Sequence, residues 1–257
     1  MSKINKKMNL FEKQLDEIRE QMTNLTFWFP VLKRIGMRIP RTTIVYSGDI
    51  LLGELTDNKK PENLKMFLDR MDLALKDFKF PIFLRTGMMS DKHSWKNTCF
   101  LKDRKDLLQH VGNIVETSYI ANIAGKPFAF DFWAIREMIE TEPIFRFFSG
   151  DMPITKEFRF FIKDGKIQCF HPYWPEEAFR NKLNKEQKKK LKKIQRLYKA
   201  EKKELFAMTA YIAHFFKDYW SVDFLKAKNG DWYCIDMAVG ERSYHWPDCK
   251  FNKNKLK

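Results

Sequence analysis

Apolar residues recur along the chain with helical spacing in some segments and with alternating spacing in others. Phe11, Leu15, Ile18, Met22 and Leu25 fall at i, i+4, i+7, i+11 and i+14, which predicts an amphipathic helix over residues 8–25. After Pro40, Thr42-Thr-Ile-Val-Tyr46 reads as a β-branched strand. A Ser47-Gly48-Asp49 turn follows, then a helix over 61–76 whose stripe is Leu64, Phe67, Leu68, Met71 and Leu75. That helix feeds a buried-type strand, Ile82 to Leu84, ending in Arg85. Asp103 to Tyr119 reads as another helix, with Leu107, Leu108, Val111, Ile114 and Val115 turned inward. The order strand, helix, strand predicts an α/β arrangement, with Arg85 at a strand's carboxyl end where ligands usually sit.

Two hairpins place charge at otherwise apolar positions. Thr155 to Phe170 turns at Asp164-Gly165 and sets Glu157 and Arg159 on one face, Phe158 and Phe160 on the other. Ser221 to Met237 turns at Lys228-Asn229-Gly230-Asp231, and each of its strands carries one acid, Asp223 and Asp236. Paired carboxylates repel and lose hydration when buried, so a sheet that keeps two of them together points either to a bound cation such as Mg²⁺ or to two solvated hairpin acids. Upstream, Arg85, the Gly87 loop and Lys92 flank a space suited to an anion, with loop amides and two cationic side chains available for phosphate oxygens.

These residues, in this order, resemble the ATP-grasp superfamily over the region from Pro81 to Glu241. One branch that resembles the chain is the viral and bacterial clade marked by two site arginines and a lysine, which Arg85, Arg159 and Lys92 would supply. Another is the eukaryotic family that assists assembly of translation initiation factor 2, similar at Ile114 to Ile120, Ile135-Arg136, Glu157-Phe-Arg159 and Trp232 to Asp236. The resemblance implies an α+β or α/β fold of ATP-grasp type, two lobes with mixed sheets gripping ATP, behind a helical N-terminal extension. It further implies that Arg85 and Lys92 hold phosphates, that Ala134, Ile135, Arg136 and Glu137 lie near the base, and that Glu157 and Arg159 join the cofactor site. Arg159 would act on the transferring phosphoryl group, with Asp223 and Asp236 as the Mg²⁺ ligands. The superfamily commonly ends this site with an acid, a spacer and Asn, whereas the chain has Asp236-Met237-Ala238. A displaced Glu241 would complete the metal site, or one metal position is lost. The strand candidate over 126–139 reads equally as part of that nucleotide site or as a core strand packing Phe130, Phe132 and Ala134.

The activity implied is that of an ATP- and Mg-dependent ligase-like enzyme that activates a carboxylate or a nucleic-acid end. The alternatives are a non-catalytic ATP-binding assembly factor for a protein partner, favoured by Ala238, and a nucleic-acid-binding protein. The last rests on charge. The chain carries a formal net charge of +15, and its cations concentrate between Arg180 and Lys203, read as one basic helix with Leu183, Leu191, Ile194, Tyr198 and Leu205 inward. Lys188, Lys189, Lys192, Lys193 and Arg196 on it are either a solvated face or a surface for RNA or another polyanion.

Composition narrows the rest. With 257 residues, 24 Phe and 7 Trp, the chain has ample material for a core and is expected to fold as one functional unit, which excludes a disordered class. The expected segments are 1–78, a helix and a preceding α/β piece; 79–249, the nucleotide-binding lobes with the basic helix 180–205; and a loose basic tail at 250–257. No run approaches the ~20 apolar residues of a membrane span, and the N-terminus lacks a signal-type core, so a cytoplasmic protein is expected. Cys99, Cys169, Cys234 and Cys249 show no C-x-x-C spacing and the five histidines no ligand spacing, so no zinc site is predicted; His93, beside Lys92, is the only histidine singled out.

Overall fold

The computed structural model describes residues 18–19, 21–48, 52–123 and 131–252. Two four-stranded sheets organise it, each with its own core, and a third, smaller cluster sits beside them. The predicted helix over 8–25 lies mostly outside the described residues, but the chain turns at 22–24 and a separate helix begins at Leu25. This helix, α1 (Leu25–Arg34), starts where the Asn24 side chain accepts the Thr26 amide at 3.0 Å, and it ends on Lys33 and Arg34, which suit a helix carboxyl end. Its buried residues, Leu25, Trp28, Phe29 and Leu32, follow the i, i+3, i+4, i+7 rule.

In the first sheet the order is β1 (Thr42–Tyr46), β4 (Phe132–Glu137), β2 (Ile82–Thr86) and β3 (Phe100–Leu101). Every neighbouring pair is antiparallel. β1 and β2, joined through α2 (Leu64–Leu75), do run parallel as the strand–helix–strand order predicts. They are not neighbours, however, because β4 is inserted between them, so the expected mixed sheet is antiparallel at each ladder. One sheet face carries α2 and α3 (Leu107–Ile123), whose Phe67, Met71, Val111, Ile114 and Val115 close on Ile82, Leu84, Trp133 and Ile135. Leu108, expected inward on α3, is 42% exposed, since it lies one residue off that stripe. β1 and α2 precede residue 78 yet belong to this sheet and core.

The second sheet has the order β10 (Trp232–Val239), β9 (Tyr219–Lys226), β7 (Glu157–Lys163) and β8 (Lys166–Pro172), again antiparallel throughout. Asp164 and Gly165 both take positive φ, 50° and 76°, the turn that the sequence asked for there. At the other hairpin only Gly230 does, at 95°. Phe158, Phe160, Val222, Phe224 and Cys234 turn to a core shared with α1 and α5 (Lys199–Phe215), leaving the opposite face for charge.

The expected single basic helix is two. α4 (Lys185–Ile194) opens with a reciprocal cap between Asn184 and Gln187, and the chain breaks at 195–198 before α5 begins. Residues 180–184 form no helix, because Arg180 and Asn181 hold positive φ. Leu183, Leu191 and Leu205 are buried as expected, whereas Tyr198, at the break, is 57% exposed. Short β5 (Phe145–Phe147) and β6 (Met152–Ile154) pack with Trp95, Trp174 and Phe179 against α4. Among the described residues no helix is long and apolar enough to cross a membrane.

Candidate functional site

The charged face of the second sheet and the ends of β2 and β4 enclose a cleft of about 440 Å³, within the ~300–1,000 Å³ range of small-molecule sites. Arg85, Lys92, Arg136 and Glu137 line it from one side; Glu157, Asp223 and Asp236 line it from the other. Ladder register explains the second group. Arg159 of β7 faces Asp223 of β9, and Asp223 faces Asp236 of β10, so three charged side chains stand in one row across three strands. A register shift between Cys234 and Asp236 accompanies that placement.

Each acid in the row is held by a different arginine. Arg159 donates from Nε and Nη2 to the two oxygens of Asp223 at 2.7 and 2.8 Å, a two-pronged pair. Arg85 crosses from the first sheet and donates from Nη1 to Asp236 at 2.8 Å. The Arg85 side chain is 4% exposed and that of Asp236 38%, so the arginine is the buried anchor and the carboxylate the open member. Arg136 lies beside them, donating to the Ile235 carbonyl at 2.7 Å and to Thr42 Oγ1 at 3.2 Å. Its Nη2 is buried with no hydrogen-bond partner among the described residues. Burial, then the charge on Arg85, pushes the Arg136 guanidinium down to about 10, which still leaves it charged at neutral pH. A buried cation with an unused donor on a cleft wall attracts an anion, because an unsatisfied buried donor costs ~1–3 kcal/mol.

Lys92 completes the cationic set. Its ammonium stands 4.0 Å from the centre of the Tyr173 ring, 5.1 Å from that of Trp174 and 3.9 Å from Glu157 Oε2. Burial opposes its charge, but Tyr173, Glu157 and Asp223 outweigh burial and hold its pKa above the ordinary lysine value. Glu157 accepts from Thr155 Oγ1 at 3.0 Å and Trp174 Nε1 at 3.1 Å, and burial pushes its carboxyl up against the pull of Lys92. His93 also lines the cleft, its ring stacked on Phe148 with centroids 4.1 Å apart.

Other residues singled out by the sequence lie elsewhere. Ala134 is buried in the core of the second sheet and Ile135 in that of the first, so neither side chain lines the cleft; alternation along β4 leaves Arg136 to do so. Arg159 stands behind Asp223 and against Tyr173, 4.7 Å from that ring's centre, outside the cleft lining. Glu241 pairs with Arg19 at 3.3 Å and is likewise absent from the lining. The loop amides of Thr86, Gly87, Met88 and Met89 are already bonded within the protein, so phosphate contact falls to side chains. Gly87 is needed for close approach, since a Cβ there would lie 2.3 Å from Asn24 Oδ1. Lys189, Lys192, Lys193 and Arg196 lie exposed on or just beyond α4, away from the cleft lining, and Lys188 pairs with Glu176 at 2.6 Å. Sequence reasoning missed Tyr173 and Trp174. Their only signal was an aromatic pair at the end of β8, and the bond from the Tyr173 amide to the Glu157 carbonyl is what brings them to the cleft.

A family model described as the ATP-grasp domain, family 3 of its two-arginine-and-lysine clade, matches residues 72–253, well over half of the chain. The chain belongs to that family. Its fold is the two-lobed α+β ATP-grasp fold. Similar solved structures include a D-alanine–D-alanine ligase from Bacillus anthracis complexed with ATP (12% identity, 85% of this chain and 53% of that one, TM-score 0.46). Others are a RimK domain ATP-grasp protein from Sphaerobacter thermophilus (8%, 86% and 59%, TM-score 0.45) and the biotin carboxylase domain of 2-oxoglutarate carboxylase from Hydrogenobacter thermophilus (13%, 87% and 41%, TM-score 0.48). The chain spans between 41% and 59% of the length of these three structures. No curated protein gives a significant match.

Proposed function

We propose that the cleft binds ATP with Mg²⁺ and that the chain is a ligase-like ATP-grasp enzyme, passing a phosphoryl group to a carboxylate or a nucleic-acid end. The observation that carries this reading is the unpartnered Nη2 of Arg136, buried beside Arg85 on the wall that Lys92 also lines. Three cations on one side of a cleft that holds two neighbouring carboxylates on the other make a donor set fitted to a polyphosphate and a hard cation together. Asp223 and Asp236 would hold Mg²⁺, which when bound supplies positive charge against the phosphate oxygens. Ala238 offers only a methyl group and Glu241 is turned to Arg19, so the acids of the row carry the metal between them.

The side chains then divide the work. Arg85 and Arg136 bind phosphate oxygens, and Arg85 exchanges its bond to Asp236 for one to the ligand. Lys92 is held charged and aimed by Tyr173, Trp174 and Glu157, so it meets a developing phosphoryl charge without rearranging. Arg159 fixes Asp223 in place. Titrating Mg-ATP into the parent chain and into Arg136→Met tests this: weaker binding in the variant supports it, and equal affinity contradicts it.

A second reading concerns the acceptor. Lys189, Lys192, Lys193 and Arg196 are exposed and show no ion pair among the described residues, which favours a polyanionic partner such as RNA at α4. Reversing Lys189, Lys192 and Lys193 to Glu should flatten the salt dependence of RNA binding. An unchanged slope would leave that face a solvated surface.

A further inference from the structure

Cys169 and His171 sit one residue apart on β8, the edge strand of the second sheet, and His245 and Cys249 come from the segment that follows β10 and folds back over it. The four potential ligand atoms all lie within 4.8 Å of one another, and His171, His245 and Cys249 are buried. This overturns the expectation that the scattered cysteines and histidines form no metal site. The spacings C-x-H and H-x-x-x-C are each too short to be read alone, and the halves are brought together across 74 residues, counted from His171 to His245.

The distances are those of a tetrahedral centre. Zn–N bonds of about 2.05 Å and Zn–S bonds of about 2.3 Å at the tetrahedral angle put two nitrogens ~3.4 Å apart and a nitrogen and a sulfur ~3.6 Å apart. His171 Nε2 and His245 Nδ1 are 3.4 Å apart, and Cys169 Sγ is 3.8 Å from His245 Nδ1. Two nitrogens cannot both present protons to each other at that distance, and a shared cation removes the conflict. The far side of His245 is also prepared: its Nε2 lies 2.6 Å from the Tyr219 hydroxyl, while Phe161 stacks on the ring with centroids 3.6 Å apart. A ligand histidine is commonly oriented through its second nitrogen in this way.

We infer that Cys169, His171, His245 and Cys249 form a closed, four-ligand zinc site that fastens the C-terminal segment to the edge of the second sheet. Two thiolates and two imidazoles suit Zn²⁺, and with all four positions taken by protein the metal has a structural role. Both thiols lose their protons to solvent on binding. His171 is the ladder partner of Arg159, so the site closes the β8 end of the same row that carries Asp223 and Asp236. Around it the Trp246 indole donates to the Pro172 carbonyl at 2.9 Å and the Asn252 amide to the Cys249 carbonyl at 3.0 Å, which orders the start of the predicted loose tail. The inference does not depend on nucleotide binding in the cleft.

The test is elemental analysis of the full chain purified without chelator, paired with cobalt(II) replacement. We expect about one zinc per chain, and for the cobalt form the visible bands of a tetrahedral centre with a thiolate charge-transfer band. Cys169→Ser and Cys249→Ser should each fall below about a tenth of the parent's zinc, while Cys99→Ala keeps it. The inference is overturned by a parent chain that binds neither zinc nor cobalt, by a Cys169–Cys249 disulfide in non-reducing mass spectrometry, or by undiminished zinc in the serine variants. Should those variants not fold, the metal content and cobalt spectrum of the parent decide alone.

Discussion

Asp223 and Asp236 stand directly opposite each other on β9 and β10, and each is held by an arginine from a different strand, Asp223 by Arg159 of its own sheet and Asp236 by Arg85 of the other. The two acids are therefore unequal. Asp223 is buried and doubly bonded, whereas Asp236 is partly open on the cleft side of a buried arginine. Their substitutions should separate binding from stability.

Asp236→Asn keeps an oxygen for Arg85 but removes the carboxylate charge that a cation needs. We expect Mg-ATP affinity to fall about tenfold or more, roughly 1.4 kcal/mol, with a melting temperature within ~4 °C of the parent. Parallel calorimetry and thermal melts check both; unchanged affinity would remove Asp236 from the metal site.

Arg159→Ala should do the reverse. It strands Asp223, 7% exposed at its side chain, without its two-pronged partner, and breaking a buried pair costs ~3–5 kcal/mol. At ~2–4 °C per kcal/mol for a chain of this size, a melting temperature lower by at least 6 °C is expected before any nucleotide is added. A variant as stable as the parent would mean that the pair contributes nothing to the fold.

Tyr173 lies under two cations, Lys92 at 4.0 Å and Arg159 at 4.7 Å. Tyr173→Phe retains the ring and should change stability little, while Tyr173→Leu loses both cation–ring contacts, about 1–2 kcal/mol together. Equal denaturation midpoints for the two variants would contradict the ring's role.

Lys92→Met leaves Glu157 buried without its cation, and the sign of the pH effect follows. Burial already raises the Glu157 pKa above its ordinary 4.5, so the folded state binds more protons than the unfolded state between those two values, and stability falls as pH rises through that window. Removing Lys92 widens the window upward. The stability gap between variant and parent should therefore shrink as pH falls from 8 towards about 5 in thermal melts. Lys92 itself, with its pKa raised in the parent, contributes fully below the ordinary lysine value and is lost only at higher pH. A gap independent of pH would show that Glu157 does not titrate with Lys92.

Local pattern made much of this architecture legible. β-branching marked β1, periodicity marked α2 and α3, the Asp164-Gly165 turn set its hairpin, and alternation put Phe158 and Phe160 in the core with Glu157 and Arg159 opposite. What depended on distant partners was not legible. The insertion of β4 between β1 and β2, the reach of Arg85 across 151 residues to Asp236, and the meeting of β8 with His245 and Cys249 leave no trace in neighbouring positions. The break between α4 and α5 was hidden because lysines on both sides keep the same composition through it.

The central claim is that the cleft between the sheets is a Mg-ATP site built on side-chain charge. Isothermal titration of the intact parent chain with Mg-ATP, set beside Arg85→Ala, tests it most directly. The account predicts saturable heat with a Kd below about 1 mM for the parent and at least tenfold weaker binding for the variant. No binding heat at millimolar Mg-ATP, or equal affinity in both proteins, would contradict it.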